Sequence, residues 1–135
     1  MKVLGVDHIG IAVSNIAKAT NFYSNGLGLK LGEIEEIKDR QLRVGFIDIG
    51  SAKIELIEPT SNDSTVAEFI SRRGEGIHHI CFKVDNLAKA LQHMKNKGFD
   101  LIDNRPRNGA GGSKIAFVHP KSAAGVLIEL KELPK

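Results

Sequence analysis

The sequence predicts an α+β fold: two tandem βαβββ modules whose strands form a curved mixed sheet around a central metal site. Three observations predict it. The chain repeats itself, because setting His8 against His79, a shift of 71 residues, also matches Ile9 with Ile80, Ile11 with Phe82, Val13 with Val84, Asn15 with Asn86 and Lys18 with Lys89. The repeat returns late in each half as Ile54-Glu55-Leu56 against Ile128-Glu129-Leu130, now shifted by 74 because one loop is longer. Between these matched ends, each half reads as a strand, a helix and three further strands, by period-2 and 3.6-residue patterning respectively.

In module one, Val3 to Val13 alternates Ile9, Ile11 and Val13 on one face with His8, Gly10 and Ala12 on the other. Ser14 reads as an N-cap, and Ile16, Ala19, Phe22 and Tyr23 give the run from Asn15 to Asn25 an apolar helical face that Gly26 ends. Leu29 to Ile37, Leu42 to Ile49 and Lys53 to Glu58 read as strands separated by Lys38-Asp39-Arg40 and by a Gly50-Ser51 turn. Pro59 ends the last of them. Asn62-Asp63-Ser64 then caps a linker helix from Thr65 to Arg73, with Val66, Phe69 and Ile70 on one side and Gly74 and Gly76 beyond.

Module two opens on the His79 strand. Asp85, the counterpart of Ser14, is expected to cap a helix carrying Leu87, Ala90, Leu91 and Met94 at i, i+3, i+4 and i+7, with Lys95, Lys97 and Gly98 at its end. Phe99 to Asp103, Lys114 to His119 and Val126 to Lys131 read as its remaining strands. The expected organisation is thus one domain, 1–135, made of module one (about 3–58), a linker helix (about 63–74) and module two (about 76–133).

Alternation also decides where chemistry lies. Ile80, Phe82 and Val84 should lie under the second helix, leaving His79, Cys81 and Lys83 opposite; Glu129 opposes Ile128 and Leu130, and Glu55 opposes Ile54 and Leu56. His8, Glu55, His79 and Glu129 therefore leave the helix-covered side together, as two symmetry-related pairs of hard and borderline metal ligands. An isolated histidine is ordinarily a hydrogen-bonded structural residue, and repetition is what argues otherwise here. Glu58 and Glu132 are expected on a solvated sheet face, Cys81 as a small filler, His78 as structural and His93 as a surface residue.

Composition excludes the unusual classes. Charged residues make up 26% and hydrophobic ones 41%, and the net charge of +3 comes with few aromatics and no basic stripe, so nucleic acid is not an expected partner. No apolar run approaches the ~20 residues that span a bilayer, and none resembles a signal peptide at Met1-Lys2-Val3-Leu4. With one cysteine, a reducing cytoplasm is the expected compartment.

The two modules with matched His and Glu resemble the vicinal oxygen chelate superfamily. The finer text resembles its methylmalonyl-CoA epimerase family: Asp7-His8-Ile9-Gly10-Ile11-Ala12-Val13, Glu58-Pro59 with Asp63-Ser64-Thr65-Val66-Ala67, Gly74-Glu75-Gly76-Ile77-His78-His79-Ile80, and His119-Pro120-Lys121 leading to Gly125-Val126-Leu127-Ile128-Glu129-Leu130. The resemblance implies a divalent metal such as cobalt, manganese or magnesium on His8, His79, Glu129 and position 55, which is Glu55 here and Gln in some members. It also implies an acyl-CoA substrate and a homodimer, with Lys121, Gly111 and Gly112 as expected substrate contacts. Some members place a catalytic glutamate on the preceding strand, where this chain has Val44. Glu55 and Glu129 are accordingly the expected pair of acid-base residues. Alternatives are a glyoxalase-type lyase on a glutathione adduct, less readily a ring-cleaving dioxygenase, and a metal-free binding protein of the resistance type.

Overall fold

A computed structural model describes residues 1–135. The chain forms two compact units, His8–His78 and Met1–Asp7 together with His79–Lys135, so the boundary between them runs through the first strand.

In the unit His8–His78 the strands run in the order β2-β3-β4-β1. They are β1 (Val3–Ala12), β2 (Leu31–Ile37), β3 (Leu42–Asp48) and β4 (Lys53–Pro59), with β1 parallel to β4 and the other pairs antiparallel. Register fixes the faces: His8 pairs with Lys53 and Gly10 with Glu55, while across the other edge of β4, Phe46 pairs with Glu55 and Val44 with Ile57. The opposite face carries Ile9, Ile11, Val13, Ile54 and Leu56 against Ile16, Ala19 and Tyr23, as the alternation predicts. The expected first helix divides in two. Helix α1 covers only Ile16–Asn21, and Phe22–Gly26 widens to a π turn; Thr20 Oγ1 donates to Ile16 C=O at 2.7 Å within it, a bond known to bend helices. The linker helix α2 (Thr65–Arg73) lies where the sequence puts it, with Ser64 Oγ accepting from the N–H groups of Val66 and Ala67. Its Val66, Phe69 and Ile70 pack on Ala12, Leu42, Val44 and Ile57. Val44 is thus a buried wall residue on the face that bears Glu55.

The other unit repeats the plan. Strands β5 (Gly76–Val84), β6 (Arg107–Asn108), β7 (Lys114–Val118) and β8 (Leu127–Glu132) are ordered β5-β8-β7-β6, with β5 parallel to β8. Helix α3 (Leu87–Asn96) packs Leu87, Ala90, Leu91 and Met94 on Phe82, Val84, Ala116, Val118, Ile128 and Leu130. Phe99 to Asp103 does not form the expected strand: only Leu101 bridges, to Val118. Its Ile102 and Asp103 N–H groups both donate to Phe117 C=O and its Asp100 C=O accepts from His119 N–H, but the Asp100 N–H goes to Ser122 Oγ and the Phe117 N–H to the Asp103 carboxylate, so the pairing stays irregular. The glycine-containing stretch closes instead through the two-residue β6 and a 3₁₀ turn at Ala110–Gly112. A side chain at Gly109 would meet Ser113 Oγ at 2.7 Å and Ile115 Cγ2 at 2.8 Å, so this hairpin requires glycine there.

The caps depart from expectation in an instructive way. Neither Ser14 nor Asp85 caps its helix; the N-caps are the next residues, Asn15 and Asn86, accepting from Lys18 and Lys89 N–H. Asp85 instead ties down the amino terminus, accepting from Lys2 N–H at 2.7 Å while its own N–H donates to Lys2 C=O, and the first of these bonds lowers its pKa. Glu58 and Glu132 are not solvated. Glu58 Oε1 accepts from Ile16 N–H at 2.8 Å and Glu132 Oε1 from Leu87 N–H at 2.7 Å, so each module's last strand closes the first turn of its own helix with a carboxylate, favoured by the helix dipole. Glu132→Ala orphans a first-turn donor, and urea unfolding should show a loss of about 1–2 kcal/mol. Glu132→Gln, which keeps an acceptor, should lose less; equal midpoints for the Ala variant and the parent would remove this account.

Candidate active site

Each unit brings one histidine to one glutamate. In the unit His8–His78, parallel pairing of β1 with β4 sets His8 beside Lys53 and Gly10 beside Glu55. His8 Nε2 lies 3.5 Å from Glu55 Oε1. In the other unit Cys81 pairs with Glu129, and His79 Nε2 lies 3.3 Å from Glu129 Oε1. His8, His79 and Glu129 are at most 8% exposed, so these polar groups are almost dry. Cys81 is fully buried and fills the place Gly10 holds in the repeat.

The donor chemistry fits a divalent cation. Two ligands bound at ~2.1 Å and subtending a tetrahedral or octahedral angle are ~3.0–3.5 Å apart, which is the separation each pair shows. In each pair an imidazole and a carboxylate offer one borderline and one hard donor, and burial of a carboxylate is costly without a compensating positive charge.

Around each pair the structure adds residues that the sequence reading passed over. His8 packs edge-on against Phe46, centroids 5.8 Å apart, and Lys53 Nζ stands over the same ring at 5.8 Å. His79 packs edge-on against Phe117 at 6.3 Å, and the Arg107 guanidinium stands over that ring at 5.3 Å. Phe46 and Phe117 pair across strands with Glu55 and Glu129 respectively. They differ by the same 71 positions as the histidines, so the repeat already contained them. Each ring covers one side of its histidine with apolar surface.

The other expected residues fall elsewhere. Gly111 and Gly112 are exposed in the 3₁₀ turn, both with positive φ (63° and 77°). Lys121 is exposed in a second 3₁₀ turn, where its N–H donates to His119 Nδ1, giving His119 a capping role. His78 stacks edge-on against Phe69 of α2, and His93 is exposed.

With this geometry in view, comparison with known proteins decides the family. Residues 7–117 match the glyoxalase/bleomycin resistance protein/dioxygenase superfamily. A mitochondrial methylmalonyl-CoA epimerase of Homo sapiens is 36% identical over 94% of this chain and 73% of that protein. The chain belongs to the methylmalonyl-CoA epimerase family. Among solved structures, the Mycobacterium tuberculosis epimerase superposes with TM-score 0.88 at 35% identity, covering 98% of this chain and 90% of that one. A Streptomyces coelicolor epimerase variant in complex with 2-nitronate-propionyl-CoA superposes with TM-score 0.89 at 31% identity, covering 99% and 100%. The βαβββ modules and the strand order described above are therefore those of this family. No helix is long and apolar enough to cross a membrane.

Proposed function

We propose that the chain is a metal-dependent epimerase that interconverts the (2R) and (2S) forms of methylmalonyl-CoA. The observation that carries this reading is the pair of histidine-glutamate couples at repeat-equivalent positions, with His8, His79 and Glu129 buried, in a chain of this family. His8, Glu55, His79 and Glu129 would hold the divalent cation. When bound, it supplies Lewis acidity toward the thioester oxygen and the carboxylate, which lowers the cost of enolate charge by several kcal/mol.

The chain's own residues move the proton. One glutamate, as carboxylate, takes the α proton; the C–H electron pair passes into the thioester carbonyl to give the enolate. The other glutamate, already protonated, returns a proton to the opposite face. The two carboxyls have then exchanged protonation states, and the reverse reaction restores them. Glu55 and Glu129 fill these roles because each stands next to a ligand histidine, whereas Val44, where some relatives carry an acid, is buried among Ala12, Ile57 and Val66. Phe46 and Phe117 each cover one side of an imidazole with apolar surface. The reading further proposes a homodimer in the cytoplasm, with the lone thiol Cys81 buried.

The test is epimerisation of (2S)-methylmalonyl-CoA in deuterium oxide by metal-loaded protein, with light scattering on the same preparation. Inversion with solvent deuterium at the α carbon and a dimer mass are expected. Turnover of a glutathione thiohemiacetal without epimerisation would replace this reading with a lyase, and a monomer at micromolar concentration would remove the dimer.

A further inference from the structure

We infer that Lys53 recognises the free carboxylate of the substrate and so makes the site select acyl-CoA thioesters that carry a second acid group. This rests on the epimerase reading above and names the residue that sets its substrate class.

The placement comes from register. Lys53 is the Cα partner of His8 across β1 and β4, and neighbouring strands lie ~4.8 Å apart. It precedes Glu55 by two residues, hence on the same face. Its flexible stem carries the ammonium over Phe46, the ring that packs against His8. The cation is therefore held at the edge of a ligand pair, on an aromatic surface that does not neutralise it.

Lys53 has no acidic partner. The residue opposite it on β3 is Asp48, but Asp48 Oδ1 is turned to its own loop, accepting from Gly50 N–H at 3.0 Å. The comparable cation of the other unit is spent: Arg107, over Phe117, is 3.3 Å from Asp103 Oδ2. Lys131, on the face of Glu129, is 3.5 Å from Asp7 Oδ2. Lys83 shares the face of His79 but lies four residues along β5, a distance of ~13 Å. In the repeat, the position of Lys53 is taken by Leu127, so the two halves differ here in charge. An asymmetric, uncompensated cation beside a symmetric ligand set suits a substrate with one thioester and one carboxylate.

Chemistry gives the reason for selection. Deprotonating a carbon that already bears a carboxylate adds a second negative charge nearby, and an ammonium within reach offsets it, whereas a thioester with only an alkyl chain lacks the group it would pair with. The ring beneath the ammonium keeps it poised without a competing acid.

Lys53→Gln, Lys53→Arg and parent protein, each checked for equal metal content, are to be compared in two measurements. The first is kcat and KM for methylmalonyl-CoA; the second is the inhibition constant of propionyl-CoA, which shares the CoA tail and lacks the carboxylate. The Gln variant should raise KM by about 10- to 100-fold, the scale of a lost charge-assisted hydrogen bond, and change propionyl-CoA binding by less than about threefold. The Arg variant should recover most of the loss. If both ligands weaken equally, Lys53 holds the CoA tail or the fold, and the inference is overturned; unchanged constants overturn it as well. A parent protein that fails to epimerise would overturn the epimerase reading itself, separately from these ratios.

Discussion

His79→Ala is expected to lose divalent metal and epimerisation together, while circular dichroism stays that of the parent. On the proposed reading the imidazole is one of four donors to the ion, and its removal leaves the buried Glu129 and the edge of Phe117 without the group they pack against. Affinity for the ion should fall by well over the 10- to 100-fold seen when only an outer partner of a ligand is lost. Activity should fall by at least ~100-fold because the enolate loses its main electrostatic stabilisation. Chelation of the parent protein should reproduce the loss, and re-addition of cobalt or manganese should restore the parent but not the variant. An active His79→Ala protein with a full complement of metal would exclude His79 as a ligand.

The histidine-glutamate pairs were legible in the sequence because duplication wrote them twice. A single His8 or Glu55 carries no such information, but two histidines and two glutamates at matching strand positions do, and period-2 alternation then gives their face without any tertiary knowledge. The same logic would have found Phe46 and Phe117, which share the histidines' spacing; attention to ionisable residues alone passed them over. What the sequence could not display were contacts between residues distant in the chain. Glu58 and Glu132 read as solvated because each sits in an alternating strand, yet each meets a helix start some 40 residues earlier, Glu58 with Ile16 and Glu132 with Leu87. Phe99 to Asp103 had strand-like text, and it does bond Phe117 and His119 through its backbone, but the side chains of Ser122 and Asp103 divert the N–H groups of Asp100 and Phe117 that a regular ladder needs. The caps slipped by one residue because Ser14 and Asp85 are good caps by type, and only the fold shows that Ser14 N–H is engaged by Glu75 and Asp85 by Lys2.

Glu55→Gln separates ligand from base. The amide keeps size and an oxygen donor, so metal content should remain near that of the parent, with Phe46 and Gly10 still framing the position. It cannot accept a proton at neutral pH, so abstraction or return on one face of the α carbon should fail. Val44 offers no substitute, being buried in an apolar cluster on the same face. Epimerisation should therefore drop by at least ~100-fold, the lower scale of a general base. Solvent deuterium should still enter one stereoisomer through Glu129, so exchange without inversion is the signature, read by mass spectrometry on each pure epimer. A Glu55→Gln protein that holds metal and epimerises at the parental rate would make Glu55 a ligand only, and the second proton carrier would then have to be another residue.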